Sequence, residues 1–211
     1  NGQGFVPIGG LEVLSDALSG TPFTGTLDGA GHKITNLTMN RPGAPAGLFM
    51  SIDGATIKDL TFDGGQIAGT RANDGTVYTD LIINPVVGTL AAVASNSAID
   101  NVDSNIDLPS DPVYGLNGGA GGLVGIVMPS IFGFGTATTN MTITNSDVSG
   151  DVDGMVSGNL VGASILINLI KVIMLATQGS GDFEQYLSGV GTGMSMLVSD
   201  STASGKVECL V

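Results

Sequence analysis

The sequence has few of the residues on which most catalytic and metal chemistry depends. Its 211 residues contain one cysteine (Cys209), one histidine (His32), no tryptophan and only six lysines and arginines. A single cysteine excludes an intramolecular disulfide framework and any zinc or iron–sulfur site built from cysteines. A single histidine excludes the HExxH zinc motif. With a net charge of −13 and six scattered bases, the chain lacks a basic surface, so we expect no nucleic-acid partner.

The longest apolar stretch, residues 160–177, does not predict a transmembrane span. Asn168 and Lys171 lie in its middle, and a central lysine costs roughly 2.5–3.5 kcal/mol on insertion scales. The apolar side chains fall on one face of a helix, which carries Ile165, Leu166, Leu169, Ile170, Ile173 and Met174. We therefore expect an amphipathic helix packed on the protein, within a helical insertion at about 163–197.

Glycine and aliphatic residues are abundant. The 34 glycines follow no three-residue period, which excludes collagen. Hydrophobic residues make up 42% of the chain, enough apolar surface to offset the entropy lost on folding. The length then favours a single domain over residues 1–211.

A short pattern recurs along the chain: an aliphatic residue, any residue, then Asn or Asp. Its copies begin at Ile34, Ile57, Ile99, Ile143 and Val198, at spacings of 23, 42, 44 and 55 residues. The copies are β-branched and alternate, which predicts short strands. Strict alternation places one set of side chains on one face (Ala55, Ile57, Asp59, Thr61) and a second set on the other (Thr56, Lys58, Leu60, Phe62).

A second pattern, small residues around an aliphatic pair, lies between these copies. It occurs at 46–49, 87–90, 121–125 and 158–162. Short strands with Gly-tight corners predict an all-β, right-handed parallel β-helix, with a loop insertion at about 128–140 beside the helical one. Glycine and alanine at the turns would let coils stack at the ~4.8 Å strand spacing. A β-sandwich is the alternative, although its strands need not resemble one another.

Residues 5–9, 23–37, 47–49 and 54–60 resemble the GLUG-repeat proteins. These bacterial and archaeal surface or secreted β-helices include the β-helical part of IgA-specific zinc metallopeptidases and many adhesin-like proteins. The resemblance implies a β-helix at the cell surface. The family's peptidase module needs an HExxH motif, which a chain with His32 alone does not supply, so peptidase activity is not implied.

His32 and the recurring aspartates are the residues that could have a catalytic or metal-binding role. His32 follows a tight turn at 28–31, and we expect it to hydrogen-bond local backbone. We expect the aspartates to be solvated surface carboxylates, while paired catalytic carboxylates are the enzymatic alternative. Asp147, Asp151 and Asp153 are a weak Ca²⁺ candidate, because the full ligand series of a calcium loop is missing. No catalytic residue and no other cofactor is predicted.

The two ends of the sequence predict assembly. Neither shows a polar capping module, so a β-helix would present unpaired N–H and C=O groups for strand addition. Because the ends differ, pairing would be heterologous and would propagate into a filament. The partner is then another copy, head to tail, or the neighbouring domains of a longer surface protein. The candidate interface residues are Phe5, Val6, Ile8, Ile170, Ile173, Met174, Val207, Leu210 and Val211.

These patterns together predict a non-enzymatic, extracellular structural or adhesive protein, which forms a surface filament or part of an adhesin. Two alternatives stay open. One is a carbohydrate-active β-helix enzyme that uses rows of aspartates. The other is the accessory β-helix module of a secreted peptidase.

Overall fold

The structure, a computed structural model, describes residues 3–13, 18–41, 44–68, 86–109, 119–128, 139–154, 156–164 and 194–209. Within these ranges the chain is all-β, without a helix, and most strands pair in parallel. The strands in chain order are β1 (Glu12–Val13), β2 (Leu18–Ser19), β3 (Thr26–Asn40), β4 (Phe49–Asp53), β5 (Thr56–Ala68), β6 (Val86–Gly88), β7 (Ala91–Ser95), β8 (Ala98–Ser104), β9 (Gly119–Gly121), β10 (Val124–Val127), β11 (Thr139–Thr144), β12 (Asp147–Val148), β13 (Val152–Gly154), β14 (Val156–Gly158), β15 (Val161–Ser164), β16 (Met194–Ser199), β17 (Thr202–Ala203) and β18 (Val207–Cys209).

Four successive stretches of chain follow the same path through three parallel sheets. We call them repeat units 1 to 4, and their described residues are 44–68, 86–109, 119–154 (apart from 129–138) and 156–209 (apart from 165–193). Sheet 1 contains β6, β9 and β14, sheet 2 contains β4, β7, β10 and β15, and sheet 3 contains β5, β8, β11 and β16 with β12 and β17. The N-terminal residues lie against unit 1, where β3 pairs with β5 and extends sheet 3.

The register between units aligns aliphatic residues into columns. Ile57 pairs with Ile99, Ile99 with Ile143, and Ile143 with Val198. The three isoleucines have no exposed surface. Full burial of one such side chain stabilises the fold by about 1.5–3 kcal/mol, so each unit stabilises its neighbours mainly through these columns. The pattern of copies at Ile57, Ile99, Ile143 and Val198 is confirmed as the repeat that organises the chain.

Glycines form a column of their own at the turn that joins sheets 1 and 2. Gly88 lies beside Gly121 and Gly121 beside Gly158, while Ala46 bridges Val87 and so brings Gly47 next to Gly88. A Cβ atom on Gly88 would lie 2.6 Å from the backbone N of Gly125 and 2.8 Å from the carbonyl O of Leu123. The prediction that small residues let the units stack is confirmed at this turn.

Asn and Asp in the repeated pattern mark a bend in sheet 3. Asp59, Asn101, Asn145 and Asp200 all have positive φ, between 50° and 54°. Asn and Asp tolerate this left-handed conformation better than other non-glycine residues. The bend shifts the alternation by one residue: Ile57 points into the core before it, and Leu60 and Phe62 point into the core after it. The predicted faces are therefore wrong beyond Asp59, because Leu60 and Phe62 are buried and Thr61 is not.

The prediction that the first copy of the repeat begins at Ile34 is wrong, because Ile34 is not in register with Ile57. Ile34 pairs with Phe62, whereas Leu27 pairs with Ile57. The turn around Gly29 and Ala30 occupies the bend position instead, and Ala30 has a φ of 50°. Asn36, with a φ of 55°, lies at a second bend opposite Gly64, which explains why it fits the same local pattern.

Two serine side chains satisfy backbone groups, one at the turn between β7 and β8 and the other next to the bend at Asn145. Ser97 Oγ donates to the carbonyl O of Ser95 at 2.6 Å and accepts from the backbone N of Ala55 at 3.1 Å. Ser146 Oγ does the same with Thr144 O at 2.8 Å and Val102 N at 3.1 Å. Both serines are buried. Each therefore supplies the partner that a buried N–H group of the preceding unit requires.

Strands occupy both ends of the predicted helical insertion and the second end of the predicted loop insertion. Residues 139–140 belong to β11, residues 163–164 to β15, and residues 194–197 to β16. Met128 is described and buried. The predicted amphipathic helix belonged to the apolar stretch at 160–177, of which residues 165–177 lie outside the described residues.

We expect Gly88→Ala to destabilise the protein by about 3 kcal/mol or to prevent folding, because the added methyl group would meet backbone atoms of a neighbouring unit. Gly54→Ala is the matched control: it has open space around the added Cβ but a φ of 68°. This control should cost about 1 kcal/mol from backbone strain alone. Urea unfolding of both variants measures the difference, and equal losses would contradict close packing at the glycine column.

The bend residue can be tested at Asn101, whose φ is 54°. We expect Asn101→Gly to be about 1 kcal/mol more stable than Asn101→Ala, because only glycine adopts positive φ without strain. Both variants lose the side-chain hydrogen bond to Asp59, so the comparison isolates the backbone. Thermal unfolding of the pair is the measurement, and an alanine variant as stable as the glycine variant would refute the left-handed bend.

Candidate functional site: the acidic face and the end strands

Aspartates on the outer face connect consecutive repeat units. Asp103 Oδ1 accepts a hydrogen bond from the backbone N of Asp147 at 3.0 Å. Asp147 Oδ1 in turn accepts from the backbone N of Thr202 at 3.0 Å and from its hydroxyl at 2.6 Å. Hydrogen bonds to an ionised carboxylate are stronger than neutral ones. The carboxylates therefore hold each unit to the next at positions where the backbone turns.

A second column repeats this arrangement farther along the strand path. Asp107 Oδ1 accepts from the backbone N of Asp151 at 3.0 Å, and Asp151 Oδ1 accepts from the backbone N of Lys206 at 2.9 Å. The same bond thus recurs between units 2 and 3 and between units 3 and 4. The expectation of solvated surface carboxylates does not include these contacts between units. Asp103 and Asp147, like Asp107 and Asp151, are 44 residues apart, and this spacing, equal to that of Ile99 and Ile143, was the available signal.

Three aspartates with lowered pKa values lie on the same face. Hydrogen bonds from Thr144 and Asn145, at 2.7 and 2.8 Å, lower the pKa of Asp100. A hydrogen bond from Asn105, the larger cause, and a second one from Lys33 lower the pKa of Asp63. The hydrogen bond from Lys58 and then that from the Ala30 amide lower the pKa of Asp28.

Basic side chains among the described residues pair mainly near the N-terminal end of the stack. Lys58 Nζ lies 2.9 Å from Asp28 and 3.6 Å from Asp59, and Lys33 Nζ lies 3.1 Å from Asp63. Residues 1–71 contain four of the six bases and six of the nineteen acids, whereas residues 72–211 contain two bases and thirteen acids. Positive and negative charges are therefore nearly balanced in residues 1–71, whereas residues 72–211 are strongly acidic.

The calcium candidates lie in separate positions. Asp147 and Asp151 belong to the two different columns, and Asp153 follows in β13. In the part of the chain that the structure describes, no group of three or more His, Cys, Asp or Glu side chains is placed to hold a metal ion. One carboxylate oxygen of Asp147 and one of Asp151, Oδ1 in each case, accept backbone hydrogen bonds.

His32 makes the local contact expected from the sequence. Its Nδ1 lies 2.8 Å from the carbonyl O of Gly29, three residues earlier. The side chain is exposed and belongs to the turn that replaces the first bend. The prediction of a hydrogen bond between His32 and local backbone is confirmed.

Apolar side chains are exposed at the two ends of the stack. Phe5, Val6 and Ile8 at the N-terminal end are 38%, 65% and 45% exposed. In unit 4, exposure reaches 43% at Met196, 56% at Leu197, 40% at Val198 and 37% at Val207. By contrast, the partners of Met196, Val198 and Val207 in unit 3 are buried. These partners are Met141, Ile143 and Val152.

Four of the predicted interface residues, Phe5, Val6, Ile8 and Val207, are therefore placed on exposed surface at the ends. The others, Ile170, Ile173, Met174, Leu210 and Val211, lie outside the described residues. Met196, Leu197 and Val198 were missed. The first two fell inside the predicted helical insertion, although the alternation of residues 194–199 is that of a strand.

These features define a class: an all-β protein of stacked, mostly parallel strands with an acidic outer face. No family model and no solved structure matches the chain. The chain is similar to Halomucin of Haloquadratum walsbyi (strain DSM 16790 / HBSQ001), with 37% identity over 100 residues. The match covers 46% of this chain and 1% of Halomucin. Among the described residues, no helix has the length and apolar character needed to cross a membrane.

The lowered pKa of Asp100 predicts a specific pH dependence. Because this pKa is lower in the folded chain than its ordinary value of 3.8, ionised Asp100 stabilises the fold above that value. The stabilisation is lost as the pH falls through the folded-state pKa. We therefore expect wild type to exceed Asp100→Asn in free energy of unfolding at pH 6, and the difference to shrink below about pH 4.

Urea unfolding of both proteins from pH 7 to pH 2.5 measures this difference. Comparison with the variant removes the contribution of the other carboxylates, which titrate in both proteins. A difference that stays constant over the whole range would show that Asp100 makes no charge-dependent contact.

Proposed function

We propose that the chain is a right-handed parallel β-helix of the GLUG-repeat type. The support is the repeated path of four units through the same three sheets, with equivalent residues in register throughout. Parallel strands joined in this way stack each unit on its neighbours alone, which is the behaviour of a solenoid. The second support is the resemblance of residues 5–60 to that family.

The proposed role is structural or adhesive, outside the cell, and non-enzymatic. Halomucin, part of which is similar to this chain, is a large surface protein. The acidic face would keep such an extended surface element soluble and hydrated. The lowered pKa values of Asp28, Asp63 and Asp100 do not suit these three residues to the role of a glycosidase general acid, which needs a raised pKa.

The chain would act by assembly into a surface filament, or as part of an adhesin. One observation carries this proposal: the repeat continues in register to β16, and there its core-facing side chains are exposed. The side chains of this column are buried in units 1 to 3 and exposed in unit 4. Exposed apolar side chains on an edge strand are typical of a surface that binds another strand. A further strand on β16 would complete the stack.

A carbohydrate-active enzyme is the alternative of a different class. Its support is the rows of carboxylates one strand apart, since paired carboxylates at ~5–9.5 Å are the requirement for glycoside hydrolysis. An accessory module of a secreted peptidase would use the same fold without any site of its own.

The purified chain tests these proposals in two assays. Negative-stain electron microscopy and sedimentation over increasing protein concentration should show rods of constant width and increasing length. A glycan panel with and without calcium should show no turnover. Turnover that Asp103→Asn or Asp147→Asn abolishes would overturn the structural role, and a monodisperse monomer at every concentration would overturn the filament.

A further inference from the structure

The exposed end of the stack consists of side chains that belong to the core by register. Met196 and Val198 pair with Met141 and Ile143, which are 1% and 0% exposed. Leu197 lies between them on the outer side and pairs with Thr142, which is half-buried. Inward and outward positions on one strand are therefore distinguishable. Within the described ranges, no further strand covers the inward positions of β16, whereas a following unit covers those of units 1 to 3.

The backbone of this strand also ends the sheet. Among the described residues, β16 pairs only with β11, and β15 of the same unit pairs only with β10. A strand at the edge of a sheet presents N–H and C=O groups that pair readily with another strand. As far as the structure describes the chain, the end of unit 4 thus combines an unpaired strand edge with exposed apolar side chains.

The other end of the stack has a matching edge. Along residues 26–36, β3 pairs within the described chain only with β5, and Leu27 and Ile34 pack partly buried against the core. Residues 4–8 lie at the same end, where Ile8 bridges Phe49 and continues the column of sheet 2. The first and last strands of sheet 3 are therefore both edge strands, at opposite ends.

We propose that β3 of a second copy pairs in parallel with β16, continuing the register of the repeat. This inference rests on the proposed function and identifies the two surfaces that would join. Since Leu27 precedes Ile57 in the column that ends at Val198, the second copy's Leu27 covers Val198. By the same rule its Ile8 covers Val161 in sheet 2.

The charges of the two ends suit this register. Lys33 of the second copy falls on Thr202, and Asp28 falls on Ser199, so no like charges are directly opposed. The nearly balanced N-terminal part of one copy, with its lysines, meets the acidic part of the next. Sheet 3 has five successive layers per copy, β3, β5, β8, β11 and β16, which predict an axial repeat of about 24 Å at ~4.8 Å per layer.

The test compares Val198→Asp with Leu197→Asp in the full chain. Both replace an exposed aliphatic residue of β16 by the same charged one, but only Val198 lies on the core side of the proposed joint. We expect Val198→Asp to weaken association roughly 100-fold or more, because a carboxylate would be buried between copies. Leu197→Asp should associate within about threefold of wild type, and sedimentation velocity measures both.

Thermal unfolding at a protein concentration where every protein is monomeric serves as the folding control. We expect the two variants to melt within a few degrees of each other, because Val198 is exposed in the single copy. Assembly of Val198→Asp equal to that of wild type would overturn the proposed joint while leaving filament formation intact.

A wild type that stays monomeric at every concentration would overturn both the joint and the filament. Monomeric wild type together with a specific loss of stability in Val198→Asp would show that another part of the same chain covers β16. Assembly with an axial repeat clearly different from about 24 Å would reject the continued register.

Discussion

The whole structure depends on one geometric constraint: residues one repeat unit apart must fit into the height of a single strand spacing, ~4.8 Å. Glycine meets this constraint at the turn between sheets 1 and 2, where a Cβ on Gly88 would meet backbone of the next unit. Isoleucine meets it in the core, where identical side chains stack without a gap. Polar residues meet it on the outer face by bonding to the unit above or below. The columns of Gly88, Ile57 and Asp103 are three solutions to the same spacing.

The constraint gives the acidic residues a structural role. Asp103 and Asp107 accept backbone hydrogen bonds from unit 3, and Asp147 and Asp151 accept them from unit 4. Thr202 and Lys206 occupy these positions in unit 4 itself. A protein with a net charge of −13 would ordinarily lose stability through self-repulsion. Here part of the charge is used to connect units, so the acidic surface and the stability of the stack are linked.

Much of the fold followed from periodicity, because a repeated unit leaves the same residues at a constant position in each copy. Ile57, Ile99, Ile143 and Val198 were aligned correctly from sequence alone, as were the glycine turns. Two errors share a physical cause, the left-handed bend. It shifts the inward face after Asp59, and a second bend at Asn36 imitates the first. The exposed end at Met196 and Val198 was missed because burial depends on whether another strand covers the column, which a local pattern does not encode.

Cross-linking of one register pair tests the parallel stack most directly. In a Cys209→Ser background, the variant with Thr61→Cys and Asp103→Cys joins two positions that are directly opposite in β5 and β8. A disulfide needs Cα atoms less than about 7 Å apart, and this pair satisfies that limit. The account predicts ready oxidation of this pair, and none of Thr61→Cys with Asn105→Cys, whose Cα atoms would be about 8 Å apart. Preferential oxidation of the second pair would contradict the register on which the structure depends.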